Sequence, residues 1–299
     1  MTLRHFQIFV AVCDAMNMTA AAKSLFLSQS AVSQAISEME RHYGVRLFER
    51  LSRRLYLTEA GENLLGYARH IIRLNRDAEG EMRSLCKNGV IRVGASVTIG
   101  SCVLPGLISD FQHENPECLV RVTEDNTMQV EQMILSDRLD LGLVEGETIL
   151  PDILSRPFLE DTLVLICGAE HPFAGRAWVE PEELERENFI LREVGSGTRK
   201  TFEDAMNESG LTWKETWTCN NADTIKAAVA AGLGVSVISR RAVRKEAEYG
   251  LLHIVGINGL TFRRRFRVVY HKNKYLTEPM KRFIGFCFRP EGRSTEVFC

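Results

Sequence analysis

The sequence predicts a fold in two parts: an all-α N-terminal unit that continues into one long helix, and a larger α/β unit built as two lobes. Two short helical patterns joined by a tight turn occupy residues 19–43, and a seam of residues at helical spacing then runs from residue 64 to residue 85. From residue 90 onward, strand-like and helix-like segments alternate. The 299 residues leave room for two or more cores, since folded units usually hold about 100 to 200 residues.

The helix pair begins near Thr19, whose hydroxyl can cap the first helix, and the second helix is predicted to begin after Ser28, which caps helices well. One face of the second helix is apolar and is expected to pack inward, with Val32, Ile36, Met39 and Tyr43. The opposite face carries uncharged polar side chains: Gln29, Ser30, Ser33, Gln34 and Ser37. Such donors and acceptors fit base edges in the major groove of DNA. We therefore interpret this as the reading helix of a helix-turn-helix, the alternative being an ordinary solvated face.

A short strand pattern follows, in which Leu55 and Leu57 alternate with outward residues. Beside it lie three arginines that can contact phosphates or enter the minor groove, as on the wing of a winged helix-turn-helix: Arg50, Arg53 and Arg54. Residues 1–58 hold seven Lys or Arg against four Asp or Glu, a net charge of +3, so the total of −2 leaves −5 for the remainder. The basic excess lies where attraction to phosphate needs it. For any single arginine, a solubilising charge cluster is the alternative.

The long helix is predicted to begin after Thr58, a suitable cap, and its length is the main signal. A seam with alternating spacings of four and three comprises Leu64, Ala68, Ile71, Asn75, Ala78, Met82 and Leu85. Such a seam requires a partner helix, and we expect its copy in a dimer, the body of the same chain being the alternative. A dimer also lets two reading heads address two half-sites of an operator.

The α/β unit begins after Gly89. Strands are predicted at residues 90–95, 119–124 and 139–144, with helices at 102–114 and 128–135 between them, so this lobe should hold a parallel sheet covered by helices. The alternation restarts at residue 162 and continues to 238, which predicts a second lobe. A strand at 266–270 and a helix at 278–288 remain to be placed.

A ligand site is predicted between the lobes, because ligands of open α/β sheets bind beyond the carboxyl ends of the strands. Turns rich in hydroxyls and backbone N–H groups follow a strand in each lobe and favour an anion, either a small carboxylate or an inorganic oxyanion. The candidate effector-binding residues are Ser96, Thr98, Ile99, Gly100, Ser101, Glu145, Ser196, Gly197 and Thr198. Simple helix capping is the alternative for the serines and glycines. Glu145 can bind a cationic group of the effector or be solvated.

Composition excludes several classes of protein. Hydrophobic residues make up 45% and charged residues 25%, which is typical of globular proteins. No apolar run reaches the roughly 20 residues that span a bilayer, and the N-terminus lacks the features of a signal peptide, so we expect a cytoplasmic protein with no membrane partner. The missing signal peptide and the reading head also argue against a transport-type solute-binding protein.

Catalysis and cofactors are not expected. The sequence contains none of the motifs HExxH, GxSxG, GxxxxGK[ST] or GxGxxG at the required boundary, so the chain is predicted not to be an enzyme. Its eight cysteines include no CxxC pair, which favours reduced thiols and predicts no metal and no cofactor. A redox regulator that uses Cys167 and Cys219 remains an alternative.

The run AAAKSLFLSQSAVSQAISEMERHYGVRLFER followed by RRLYLTEAGE closely resembles the winged helix-turn-helix of LysR-type transcriptional regulators. The later segments VIRVGASVTIG, DLGLVEGE, GSGTR and AAVAAGLGVSVIS are similar to the same family, so the resemblance covers essentially the whole chain. It implies a cytoplasmic homodimer or homotetramer that binds a double-stranded DNA operator and takes a small effector in a two-lobed domain like that of periplasmic binding proteins. RNA polymerase is a further partner that the resemblance leaves open. Gln34 stands where many members carry Arg, so the operator sequence stays open.

The resemblance and the patterns together predict three segments. Residues 1–58 form the winged helix-turn-helix, residues 59–88 the linker and dimerisation helix, and residues 89–299 the effector-binding domain. The family pattern returns the chain to the first lobe at its end, so lobe I is expected to comprise 89–161 and 266–299, and lobe II 162–265. The identity of the effector, the regulated genes and the choice between activation and repression are not predicted.

Overall fold

The computed structural model describes residues 1–51, 54–83 and 89–289 and divides them between two compact units. The first unit holds the described residues up to Arg83 together with Leu135–Asp137 and Asn273–Tyr275, and the second holds the rest. Within these described ranges, no helix is both long enough and apolar enough to cross a membrane.

The first unit contains four helices and a two-stranded hairpin. They are α1 (Leu3–Ala15), α2 (Met18–Ser24), α3 (Gln29–Tyr43), β1 (Phe48–Leu51), β2 (Arg54–Leu57) and α4 (Glu59–Arg83). Phe9, Val32 and Met39 are fully buried in its core. The helical spacing predicted the burial of Val32 and Met39, but Tyr43, which was also expected to pack inward, is 41% exposed at the last residue of α3. Asn17, not Thr19, caps α2, because the Asn17 side chain accepts hydrogen bonds from the backbone N–H of Thr19 at 2.9 Å and of Ala20 at 3.1 Å.

The seam of α4 divides into a buried part and an exposed part. Ala68 is fully buried and Leu64 partly buried in the core of the first unit, since this end of α4 packs along α1. Ile71, Asn75 and Ala78 are exposed, and the Asn75 amide donates a hydrogen bond to Glu79 at 2.8 Å. The side chain of Met82 and the whole of Leu85 lie outside the described residues.

The second unit alternates strands with helices, beginning with a βαβαβ segment. Its first elements are β3 (Val90–Ser96), α5 (Val97–Cys102), α6 (Leu104–Glu114), β4 (Leu119–Asp125), α7 (Thr127–Leu135) and β5 (Leu141–Glu145). The helix predicted over 102–114 is α6, which begins two residues later with Pro105 in its first turn, whereas the short helix α5 before it was not predicted.

The remaining elements form lobe II and return to lobe I. They are β6 (Ile153–Gly168), β7 (Trp178–Val179), a 3₁₀-helix (Pro181–Arg186), β8 (Asn188–Arg192), α8 (Gly197–Glu208), β9 (Lys214–Cys219), α9 (Ala222–Ala230), β10 (Ser236–Ser239), α10 (Arg240–Glu248), β11 (Leu252–Ile257), β12 (Phe262–His271) and α11 (Glu278–Cys287). Phe283 of α11 packs on Phe111 of α6 in the core of lobe I, with ring centroids 5.2 Å apart. The core of lobe II surrounds Phe189 and Phe202.

Two long antiparallel strands connect the lobes. β3 pairs in parallel with β4 and β5, as the βαβαβ order predicted, but β12 pairs antiparallel with both β5 and β6. The strand order is β4-β3-β5-β12-β6-β11-β7, with β10 also paired to β6, and β8 and β9 form a separate parallel pair. The polypeptide therefore crosses between the lobes along β6 and β12, and residues on these two strands lie at the junction.

Candidate nucleic-acid interface and effector site

The reading helix α3 presents its polar face to solvent. Ser28 caps it, accepting a hydrogen bond from the Ala31 N–H at 3.2 Å, and its opposite side is buried through Val32, Ile36 and Met39. Of the predicted DNA-contacting side chains on this helix, Gln29, Ser30, Gln34 and Ser37 are exposed and Ser33 is half-buried. The structure thus places all five on one accessible face of α3.

One predicted reading residue is held by its neighbours. The Gln34 amide donates to Glu38 at 2.9 Å, and the other carboxylate oxygen of Glu38 lies 3.0 Å from the ring of His5 on α1. The hydrogen bonds from His5 and Gln34 lower the pKa of Glu38 below its usual value. Glu38 therefore stays ionised and orients the Gln34 amide along the flank of the helix.

The wing is the hairpin of β1 and β2, in which Arg50 pairs in register with Leu55 and Leu51 with Arg54. Arg50 and Arg54 are exposed, whereas Leu55 and Leu57 pack against the core, as the alternation predicted. Arg53 lies outside the described residues. Two guanidinium groups are thus available beside the reading helix for contact with phosphates.

Between the lobes, a buried carboxylate lies at the centre of the predicted effector site. Glu145 ends β5 and is only 2% exposed, so it is not solvated as one interpretation of the sequence expected. It accepts hydrogen bonds from the backbone N–H of Thr98 at 3.2 Å in lobe I and from the Thr198 hydroxyl at 2.9 Å in lobe II. It also accepts one from the guanidinium of Arg264 on β12. The Glu145 side chain, which belongs to lobe I, is therefore hydrogen-bonded directly to Thr198 of lobe II.

Arg264 completes a buried ionic network. Its Nε atom donates to Asp161 on β6 at 2.7 Å, and Nη1 donates to the Thr198 hydroxyl at 2.9 Å as well as to Glu145. Ser239 donates to the other oxygen of Asp161 at 2.7 Å. One guanidinium thus bridges two buried carboxylates, and the desolvation of all three groups is compensated only while the whole network is intact.

Burial by itself raises the pKa of Glu145, but other effects outweigh it. The positive charges of Arg264 and Arg192 and the hydrogen bonds from Thr98 and Thr198 hold the pKa of Glu145 below its ordinary value. The carboxylate is therefore ionised at neutral pH and occupies the position that the sequence assigned to an anion.

The loop of lobe II lies close against lobe I. Ser196 caps α8, because its hydroxyl accepts a hydrogen bond from the Thr198 N–H at 3.2 Å. In this structure the hydroxyl therefore has the capping role that the sequence left open as an alternative to effector binding. A Cβ atom on Gly197 would lie 2.5 Å from the backbone oxygen of Glu145, which only glycine avoids. These residues set how closely the lobes meet.

The other predicted residues of lobe I are divided between the cleft and its surroundings. Ser96 is buried, and its hydroxyl oxygen has no hydrogen-bond partner in the described structure. Ile99 packs in the core of lobe I, and the exposed Ser101 donates back to the Val97 carbonyl at 2.9 Å, so neither side chain joins the Glu145 cluster. A Cβ on Gly100 would clash with the Glu124 carboxylate, which therefore rests directly on α5.

Four charged residues of this site were not singled out from the sequence: Asp161, Arg264, Glu124 and Arg192. Burial raises the pKa of Glu124, and the charge of Arg192 opposes the rise. Arg192 is itself 4% exposed and is bonded to Glu193 at 2.8 and 3.0 Å. The signal for Arg264 was present in the segment Phe262–Phe266, where the alternation of Phe, Arg and Phe places an arginine on the buried face of a strand.

The two cysteines of the redox alternative, Cys167 and Cys219, lie in surroundings that do not favour reactive thiols. Cys167 and Cys219 are both buried, in different hydrophobic clusters. Burial raises the pKa of Cys167 to about 11, and it also raises the pKa of Cys219. Since the thiolate is the reactive form, both thiols are poor nucleophiles at neutral pH.

A helix-turn-helix with an exposed reading face, followed by two α/β lobes that meet around a polar cluster, defines a DNA-binding regulator with a ligand-binding domain. Two family models match the chain. Residues 3–62 match the model described as bacterial regulatory helix-turn-helix protein, lysR family, and residues 87–289 match the LysR substrate binding domain. The chain belongs to the LysR family of transcriptional regulators.

Relatives extend over nearly the whole chain. An uncharacterized HTH-type transcriptional regulator of Escherichia coli strain K12, YeiE, is 35% identical over 286 residues, which cover 96% of this chain and 97% of YeiE. A full-length OxyR variant from Pseudomonas aeruginosa shares the fold at a TM-score of 0.69 and 23% identity, covering 96% of this chain and 93% of its own. The regulatory domain of CcmR from Synechocystis PCC6803, solved in complex with 2-PG, covers 67% of this chain and 96% of its own at a TM-score of 0.63 and 27% identity.

Proposed function

We propose that this LysR-family regulator recognises its operator through the polar face of α3 and the wing arginines, and that a small carboxylate or inorganic oxyanion bound between the lobes switches it. The residues proposed to contact the effector surround the junction of the lobes: Ser96, Thr98, Gly100, Ser196, Gly197 and Thr198, together with Arg264. Ile99 and Ser101 contribute backbone to the same turn.

The geometry around Glu145 is the observation that supports an anionic effector. Donors from both lobes and one guanidinium converge on a carboxylate, so the cleft already has the chemistry that recognises this group. An incoming anion competes with Glu145 for these donors and changes how the lobes are bonded. The regulatory domain of CcmR was solved in complex with 2-PG, and this likeness supports a ligand in the same domain here.

Switching requires that the effector prefer one arrangement of the lobes over another, since a ligand with equal affinity for both shifts nothing. Glu145 supplies such a difference, because it bonds to Thr198 only when the lobes are in contact. An effector that takes the place of the carboxylate releases this bond, and the free energy of binding is thereby coupled to the arrangement of the lobes.

A thermal-shift screen of the full chain tests the effector class. Acetate, sulfate, phosphate and larger carboxylates are compared at equal ionic strength, and at least one anion is expected to raise the melting temperature. Thr98→Val and Thr198→Val should remove this shift, whereas Thr123→Val, on exposed strand β4, should retain it. An anion shift that survives both cleft variants would remove these residues from the site.

We also propose that the exposed part of the seam, Ile71, Asn75 and Ala78, mediates self-association, with residues 59–88 acting as the linker between reading head and effector domain. Ala78→Asp is expected to shift the protein toward monomer in sedimentation experiments, because a charge in an a/d seam has no favourable partner. Arg76→Asp, nearly opposite on the helix, changes the charge by more and is the control. An unchanged sedimentation profile for both variants would place the interface elsewhere.

A further inference from the structure

An exposed aromatic side chain lies in the turn between α2 and α3. Phe26 is 96% exposed, which is the highest value among the large hydrophobic side chains that the structure describes. The next most exposed phenylalanine among them, Phe288, is 37% exposed. A single exposed apolar residue is common on protein surfaces, so this exposure does not by itself indicate a site.

The backbone of Phe26 adopts the left-handed conformation, with a φ angle of 55°. Its N–H donates to the Lys23 carbonyl at 3.2 Å, and the N–H of Leu27 donates to the Ala22 carbonyl at 2.9 Å. These two hydrogen bonds form a Schellman motif that ends α2, and Phe26 occupies the position at which glycine is the usual residue. A bulky side chain there is an outlier, because the left-handed conformation brings its Cβ atom too close to the backbone.

The structure of the turn does not require a phenylalanine. Leu27 is partly buried against the core of the first unit, so the apolar contact that accompanies such a motif is already made by that residue. Glycine would adopt the same turn without crowding. Phe26 therefore opposes local stability while its ring remains in solvent, and backbone strain of this kind is concentrated at functional sites.

Phe26 lies next to the end of α3 that contacts DNA in the proposed function. It precedes the Ser28 cap by two residues, so the Cα atoms of these two residues are at most about 7.6 Å apart. Gln29 and Ser30 follow the cap and are exposed. In helix-turn-helix proteins, the N-terminal residues of the reading helix contact base edges. A side chain in the turn just before them is therefore close to DNA whenever the helix occupies the groove.

We propose that Phe26 makes an apolar contact with the operator, against the 5-methyl group of a thymine or the C–H surface of a deoxyribose. This inference rests on the proposed function of α3 as the reading helix. An apolar side chain such as phenylalanine recognises thymine in the major groove through its methyl group. Binding removes the ring from water, and the free energy gained offsets the strain of the turn. Phe26 and the polar residues of α3 then contact different features of the same DNA site.

Phe26→Gly separates DNA contact from folding. Glycine removes the ring and suits the left-handed conformation, so the melting temperature of the full chain should be unchanged or up to about 4 °C higher. Affinity for a duplex selected from a random pool, measured by fluorescence anisotropy, should fall by about tenfold because the aromatic ring is no longer buried on binding. Phe26→Tyr keeps the ring and should bind within about threefold of the unmodified chain. Val45→Ala, the control, removes an exposed apolar side chain beyond the other end of α3, about 20 Å along the helix, and should retain full affinity.

Salt and modified duplexes identify the kind of contact. An apolar contact releases no counterion, so Phe26→Gly should lower the affinity while leaving the slope of log K against log salt unchanged. Thymines of the duplex are then replaced one at a time by uracil, which lacks only the methyl group. A replacement that weakens binding of the unmodified chain by about threefold or more, but not binding of Phe26→Gly, identifies the thymine that the ring contacts. If no replacement has this effect and the loss in Phe26→Gly remains, the contact is with deoxyribose.

Three results would overturn the inference. Equal affinity of Phe26→Gly and the unmodified chain, when Ser33→Glu still abolishes binding, would remove Phe26 from the interface and leave the reading face in place. An equal loss of affinity in Phe26→Gly and Val45→Ala would show that the effect is not specific to the turn. If the unmodified chain selected no duplex at all, the proposed function of α3 would fail and this inference with it, so the two failures are distinguishable.

Discussion

Arg264 is the residue on which the contact between the lobes depends. Its guanidinium is about 1% exposed and bridges Glu145 and Asp161, whose side chains are equally buried. Removing it leaves two carboxylates in a low-dielectric interior without the guanidinium that is hydrogen-bonded to both. The free-energy penalty for such uncompensated burial is large, although the intact network contributes little net stability.

We expect Arg264→Met to lower the free energy of unfolding of the effector domain by about 3 to 5 kcal/mol, the usual effect of breaking a buried ion pair from one side. All three tryptophans lie between residues 178 and 217, so their fluorescence reports on this domain during guanidinium unfolding. Arg263→Ala, at the exposed neighbouring position, should stay within about 0.5 kcal/mol. Equal stability of the two variants would mean that the network is not formed in solution.

Glu131 on α7 is expected to oppose stability at neutral pH. It is 9% exposed, its Oε1 atom has no partner in the described structure, and burial raises its pKa against the effect of a hydrogen bond from Thr148. A raised folded-state pKa contributes stability below the unfolded value, which is lost as pH rises through the folded value. The ionised form is therefore the costly one.

Glu131→Gln should accordingly stabilise the domain by about 1 kcal/mol at about pH 7 and by nothing measurable below about pH 4, where the carboxyl is protonated in both states. Tryptophan-detected unfolding at both pH values measures the difference. Glu208→Gln, at an exposed position of α8, is the control and should have no effect at either pH. A gain that is independent of pH would contradict the assignment to ionisation.

Residue identity alone predicted part of this site. Hydroxyls and glycines after a strand indicated Thr98, Thr198 and Gly197, because strand ends and helix starts follow from local patterns. Arg264 was not found, since its contact with Glu145 joins residues 119 apart and no local pattern encodes the pairing. An inward-facing arginine in a strand requires a carboxylate partner. The sequence contains 39 Asp and Glu residues, so it does not show which of them is that partner.

At the scale of single elements, α3 combines a buried face with an exposed polar face, on which Gln34 is hydrogen-bonded to Glu38. Its apolar residues and its Ser28 cap hold the helix in place, which leaves Ser33 and its polar neighbours free to meet base edges. A change on this face is therefore expected to alter recognition with little effect on folding.

Ser33→Glu should abolish binding to a specific duplex selected from a random pool, because a carboxylate facing the groove repels phosphates and cannot read the same bases. Fluorescence anisotropy measures the loss, and the melting temperature should correspond to a change within about 1 kcal/mol. Ala31→Glu adds the same charge to an exposed position on another side of α3 and should bind far better than Ser33→Glu. Intact affinity in Ser33→Glu would refute the reading face.

Elements with one clear period were predicted well, and those with a break were not. The structure begins β6 at Ile153, whereas the sequence predicted that the alternation restarts only at residue 162, because Pro157 cannot donate to a ladder and normally disfavours a strand. The pairing shifts between Phe266 and Arg267, opposite Pro157 and Leu159, and this irregularity accommodates the proline within a strand that runs from Ile153 to Gly168. Pairing with β12 thus extends β6 beyond the segment whose local sequence is typical of a strand.

In the molecule as a whole, the two signs of charge are concentrated in different parts of the chain. The net charge of −2 combines a basic reading head with an acidic remainder, so attraction to DNA arises from the head. The order of the parts was predictable because each has its own period and composition. Self-association was not predictable in the same way. The seam residues of α4 that pack in the core and those that are exposed follow the same spacing, so the spacing does not show which of them are left for a partner helix.

The salt dependence of DNA binding tests this division. Affinity should fall steeply between about 50 and 200 mM salt, and Arg50→Ala and Arg54→Ala should each reduce the slope of log K against log salt by about 1, the effect of losing one phosphate contact. Arg121→Ala, at an exposed position of β4 in the effector domain, should leave the slope unchanged. Identical slopes for all three variants would show that the wing does not touch phosphate.

The close approach at Gly197 has a consequence for water. With no room for even a methyl group between Gly197 and the backbone of Glu145, no solvent molecule fits there while the lobes touch. Once the lobes separate by the width of one water molecule, water can reach both Glu145 and Arg264, and the free-energy cost of burying these two charges falls. We therefore expect separation of the lobes to admit water to both charged groups together.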